Sequence, residues 1–130
     1  MAIIAHDVYD CFDSLFQDKH IIPDSLKLVW LKQAVSRYEK ELDVTLDFDD
    51  TLMEFDDGVG YYDIETLAWI MKELYQTREV SKANKTPRIV SKDVSVDGAD
   101  GVKKYVNSEL EEIKRVVIDR INNCKSTAYN

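Results

Sequence analysis

Oxygen ligands at spacings that could hold a metal occur in two places. The run Asp93-Val94-Ser95-Val96-Asp97-Gly98 places side-chain oxygens at positions 1, 3 and 5 of a calcium loop and glycine at position 6. Such a loop is closed by a bidentate glutamate at position 12, where this chain has Lys104, a cation that repels the ion. Asp97-Gly98 is therefore read as turn chemistry, since glycine accepts the positive φ that turns need. The second place is Asp47, Asp49 and Asp50, a carboxylate group that a metal-dependent hydrolase would need as its first ligands. Its spacing is irregular and it is interrupted by Phe48. No metal or other cofactor is expected.

Nucleophilic chemistry finds no better footing. His6 and His20, the two histidines, lie in the N-terminal segment, and neither stands at a family-like distance from Cys11 or Cys124. There is no Gly-x-Ser-x-Gly elbow, no Gly-x-x-x-x-Gly-Lys phosphate loop and no Gly-x-Gly-x-x-Gly turn among the four glycines. The expectation is a protein that is not an enzyme. Cys11 and Cys124, far apart and with no second pair, are expected as free thiols in a reducing compartment. The opening residues lack a basic stretch and meet Asp7 early, and no apolar run approaches the ~20 residues that span a bilayer. Cytoplasmic synthesis is the expectation.

With 130 residues, 45% hydrophobic and 32% charged, the chain is expected to form a single domain, 1–130, with a core large enough to need no staple. Its net charge of −8 argues against sequence-independent nucleic-acid binding, which takes a surplus of lysine and arginine. The charge is divided unevenly. Residues 1–65 carry 16 acids against 5 bases, and residues 66–130 carry 9 acids against 12 bases. A chain divided in this way can stack head to tail or steer onto a charged partner.

Helical periodicity positions these groups. Val8, Cys11, Phe12, Leu15 and Phe16 predict a short helix over 7–17 with Asp7 as its cap. Pro23-Asp24-Ser25 opens a second helix to about Leu42, with Leu28, Leu31, Val35, Tyr38 and Leu42 on its stripe. Trp30 lies off that stripe, read as an interface anchor or as covered by the N-terminal segment. A third helix, from about Tyr61 to Asn84, carries Ile64, Leu67, Ala68, Met71, Leu74 and Tyr75, widened by Trp69 and Ile70. A stripe that broad marks the central helix. The alternation Val90, Val94, Val96 predicts a strand near 88–97, followed by a turn at 97–101. A last helix over 102–123 presents Val102, Tyr105, Val106, Leu110, Ile113, Val116, Val117 and Ile121. Residues 124–130 read as a flexible tail. The expected fold is mainly α: a small bundle of three long helices plus a short N-terminal one, with a minor β-strand or hairpin element near 88–97.

Between the second and third helices, residues 43–60 hold seven acids and no base. A purely solvating run would not also carry Phe48, Leu52, Met53 and Phe55. Two readings stand: a loop that docks Phe48, Met53 and Phe55 on a partner while Asp49, Asp50 and Asp56 meet a basic rim, or a flap folded onto the chain's own core. Arg78, Lys82, Lys85, Arg88 and Lys92 form the positive cluster, read as a DNA contact, given Tyr75 just upstream, or as complementary to the acidic loop of a neighbouring copy, which the overall charge favours. With Tyr129 in the tail, these are the candidate interface residues.

The order of features resembles a known family. Ile22-Pro23-Asp24-Ser25-Leu26 opens one helix, Tyr62-Asp63-Ile64-Glu65-Thr66-Leu67-Ala68 lies in the central one, and Ile89-Val90-Ser91-Lys92-Asp93-Val94-Ser95-Val96-Asp97-Gly98 precedes the last. The chain from about residue 20 onward resembles the small head–tail connector (adaptor, or head-completion) proteins of tailed bacteriophages. That resemblance implies a virion protein of the neck, a helical bundle forming a ring, usually of twelve copies. Its partners would be the portal protein and a tail-side neck protein, with genome DNA passing nearby unbound. A different class, an acidic regulatory or inhibitory module such as a DNA mimic or antitoxin, fits the composition as well.

Overall fold

The computed structural model describes residues 4–16, 22–55, 59–85 and 96–128. Four helices follow one another: α1 Ala5–Ser14, α2 Asp24–Leu42, α3 Tyr61–Lys85 and α4 Val96–Ala128. The fold is mainly α, a short N-terminal helix with three longer packed ones, and there are no strands among the described residues. Isolated bridges join Ile4 to Glu54 and Asp49 to Glu54.

The helix ends differ from the sequence expectation in ways that side-chain chemistry explains. Asp7 sits in the first turn of α1, and its carboxylate reaches back to accept the Ile4 N–H at 2.9 Å. Pro23, not Asp24 or Ser25, precedes α2; its carbonyl accepts the N–H groups of Leu26 and Lys27 at 3.1 Å. Asp63 in the first turn of α3 accepts the Gly60 N–H at 3.0 Å. Each satisfies part of the donor deficit of a helix start.

α3 is the central helix, as its broad stripe implies, and packs against each of the other three. Leu67, Ala68, Ile70 and Met71 are almost fully buried on it. α2 runs antiparallel to α3, with Trp30 against Tyr75 near one end and Tyr38 against Asp63 near the other. α1 lays Phe12 on Trp30 and, just past its end, Phe16 on Tyr75. Trp30 is thus covered by the N-terminal segment. That burial turns α2 so that Trp30, Leu31, Ala34, Val35 and Tyr38 face the core, while Leu28 is only half-buried.

α4 pairs antiparallel with α3, burying Leu110, Ile113, Val117 and Ile121. It is longer than the stripe indicates at both ends. Residues 96–101 are helical, so the turn expected at 97–101 does not form and the expected strand has no place at 96–97. The rest of that element, 88–95, lies outside the described residues. The same helix removes the calcium-loop geometry, which requires a sharp turn at Gly98. At the other end residues 124–128, expected as a loose tail, continue α4. No helix among the described residues is long and apolar enough to cross a membrane.

Candidate interaction surface

Residues 43–55 of the acidic segment fold back onto the helical body. α2 stops where Asp43 takes a left-handed conformation, φ 52°. Leu46 then turns inward, its N–H held by the Glu39 carboxylate at 2.9 Å. Phe55 is buried, and its ring packs 4.7 Å from that of Phe48. The Met53 carbonyl accepts the Ala5 N–H at 2.8 Å, which fixes the flap to the start of α1. Of the three apolar residues expected to meet a partner, Phe55 therefore belongs to the core, and Phe48 and Met53 are half-buried against it. The flap reading holds for the apolar side of this segment, because Leu46 and Phe55 gain more from burial than a solvated loop would give them.

Asp43, Asp47, Asp49 and Asp50 remain outside. Asp49 accepts the N–H groups of Thr51 and Leu52 at 2.9 and 3.2 Å, closing a tight turn whose exposed tip is Leu52. Asp50 pairs with Lys32 at 3.2 Å, and Asp43 and Asp47 are exposed. Among the described residues no three His, Cys, Asp or Glu side chains converge on a point that could hold a metal ion. Asp49 is spent on the turn and Asp50 on an ion pair, which leaves no carboxylate group at 47–50 with the geometry of a metal site. Asp56 lies outside the described residues.

The basic cluster stands at the opposite end of the molecule. Gln76 donates to the Val106 carbonyl at 3.0 Å, fixing the register of α3 against α4. Beyond Gln76 in α3 and before Leu110 in α4, no described side chain is buried. The two helices leave the core together as an arm. Arg78 and Lys82 are exposed on it, with Lys82 3.5 Å from Glu79, and Lys85 is the last residue of α3. Arg88, Lys92 and Tyr129 lie outside the described residues. α4 adds Lys103 and Lys104, which sequence reasoning left out because residues 20 apart in the chain share a surface only once the helices pair. Tyr105, expected on the core stripe, is 70% exposed on the same arm. With 25 residues at 1.5 Å each, α3 separates the acidic end from the tip of the arm by about 37 Å.

Beside the acidic segment, a groove of about 460 Å³ opens between the end of α2, the start of α3 and the last turns of α4. Leu42, Val44 and the Tyr62 ring form its apolar walls. On its floor the Tyr38 hydroxyl donates to the Asp63 carboxylate and lies 3.7 Å from the Cys124 sulfur. Burial, reinforced by that carboxylate and thiol, pushes the Tyr38 hydroxyl far above the ordinary tyrosine range. The Tyr62 wall is braced from behind by Arg120, whose guanidinium lies 4.1 Å from the ring centroid and pairs with Glu65 at 2.9 Å. Cys11 and Cys124 are both free and half-buried. The groove escapes sequence reading because its lining comes from three separate helix ends.

Comparison with protein-family models, with curated proteins and with solved structures finds no match in any of the three.

Proposed function

We propose that this chain is a structural adaptor of the neck of a tailed bacteriophage, a subunit of a ring that joins the portal protein to the next component on the tail side. The observation that carries the reading is the polarity of charge. Asp43, Asp47, Asp49 and Asp50 lie on the segment that folds back from the end of α2, and Arg78, Lys82, Lys103 and Lys104 stand on the arm, where Glu79 and Glu109 offset part of their charge. A body charged oppositely at its two ends is suited to repeat head to tail, and a heterologous contact of that kind closes into a ring when its rotation permits. The resemblance to head–tail connector proteins supplies the setting. An acidic surface also suits a channel for DNA, because repulsion keeps the genome from adhering.

The test is co-assembly. The purified chain mixed with portal rings is expected to migrate with them in a density gradient and to add a layer of density on one face in negative-stain images. A chain that stays monomeric and never joins a portal would overturn the reading. Capture of one basic enzyme at a small fixed ratio would instead favour the inhibitory module.

A further inference from the structure

Tyr105, exposed on the arm, and the groove at the far end of α4 stand at opposite ends of the described bundle. We propose that Tyr105 of one copy seats in the groove of the next, its ring between Leu42, Val44 and Tyr62, with Lys103 and Lys104 facing Asp43. The contact names the surfaces through which copies join, and it rests on the ring reading for its sense of closure.

Three observations carry it. An aromatic side chain 70% exposed on a helix arm loses the burial that makes tyrosine a strong interface anchor, and a partner pocket restores it. A groove of about 460 Å³ is within the range that holds compact ligands, roughly 300–1,000 Å³. Its walls are apolar, and its floor offers the Asp63 carboxylate and the Cys124 sulfur as acceptors for an incoming hydroxyl. The rim carries charge opposite to Lys103 and Lys104: Asp43, exposed, lies between the two lining residues Leu42 and Val44. Lys125 follows Cys124 and is exposed, and Arg120 lies against Tyr62; these bases stand on the α4 side, so the attraction is directed to the α2 side of the groove. A pairing of arm and groove leaves a free arm at one end and a free groove at the other. It therefore propagates from copy to copy instead of stopping at a pair.

The native Cys124 in the groove makes the contact directly testable in the full chain with Tyr105→Cys. Residues 105 and 124 both lie on α4, 19 residues and about 28 Å apart. A disulfide needs Cα atoms within about 7 Å, so any 105–124 link must join two copies. On oxidation with diamide, Y105C is expected to give a ladder of covalent oligomers whose joined peptides, identified by mass spectrometry, pair 105 with 124. C124S added to Y105C removes that link. K103E with K104E slows its formation about tenfold, as loss of electrostatic steering does. Val29→Cys, an exposed position on α2, is the control for random collision. The contact is overturned if 105–105 links predominate, if no 105–124 link forms, or if V29C couples to Cys124 as fast as Y105C does. A chain that forms the link yet never joins a portal keeps this contact and removes the neck reading; one that joins the portal without the link does the reverse.

Discussion

The Tyr38 hydroxyl donates its hydrogen to the Asp63 carboxylate, tying the last turns of α2 to the first turn of α3. Asp63 also accepts the Gly60 N–H, so one side chain both caps α3 and anchors α2. Tyr38→Phe keeps the ring and removes the donor, and it is expected to cost about 1.5–3 kcal/mol, the range for a hydrogen bond to a charged group. Chemical denaturation compares the two chains.

The same bond sets an alkaline limit. The pKa of Tyr38 is raised in the fold, mainly by burial and then by Asp63, while in the unfolded chain it ionises near 10. The folded state then holds its proton where the unfolded state has released it. Stability from this group is complete below about pH 10 and falls as the pH climbs further. Melting temperatures from pH 8 to 11 should decline less steeply in Y38F. Some decline must persist, because burial also raises Tyr9 and Tyr75. Equal slopes in the two chains would dismiss the account.

Lys27 is a cation of α2 that the fold buries, at 7% exposure. Its ammonium pairs with Asp13 at 2.9 Å and Asp24 at 3.7 Å. Removing a partner strands a charge away from water, though Asp13 is itself half-exposed, which softens the penalty. Asp13→Ala is expected to destabilise by about 1–2 kcal/mol. Lys27→Met with Asp13→Ala should recover part of that, since an apolar chain of similar length needs no counter-charge. Thermal unfolding of the single and double variants decides it.

How far the sequence was legible depends on how local each signal was. α3 reads correctly because its stripe is broad and its neighbours lie on every side. The first turns of α4 do not, because Asp97-Gly98 and Gly101 are turn signals by local chemistry while the backbone there is helical, continuous with the turns that pair with α3. Trp30 was legible only as an alternative, since its cover comes from Phe12 and Tyr75, far away in the chain. The acidic segment divides along the same line. Its charge is readable from composition, whereas the inward turn of Phe55 depends on Phe48 and on the bond from Ala5 to Met53. The groove combines helix ends remote in sequence, and periodicity within one element carries no information about it.

Asp43 ends α2 in the left-handed region at φ 52°, a conformation that costs most side chains about 1–2 kcal/mol and glycine almost nothing. Aspartate tolerates it better than most, so the gain is smaller than that limit. Asp43→Gly is expected to stabilise the chain by roughly 0.5–1 kcal/mol, and Asp43→Val to destabilise it by about 1 kcal/mol or more. Opposite signs at one position separate backbone strain from loss of charge, because both variants remove the carboxylate. Urea unfolding midpoints provide the measurement.

Ile113 and Ile118 lie five residues apart on α4, and the fold gives them opposite roles. Ile113 is 1% exposed and belongs to the central cluster, while Ile118 is 52% exposed. Ile113→Ala leaves a cavity where α4 meets the rest of the bundle and is expected to cost about 2–5 kcal/mol. Ile118→Ala removes side-chain atoms already half in water and should stay within roughly 0.5 kcal/mol of the parent. Both replace a β-branched residue by alanine in a helix, so the propensity gain is shared and the difference between them reports burial alone. Parallel denaturant titrations measure that difference directly. A gap below about 1 kcal/mol would mean that α4 does not bury Ile113 against α3, and the arm-and-core division of this helix would have to be redrawn.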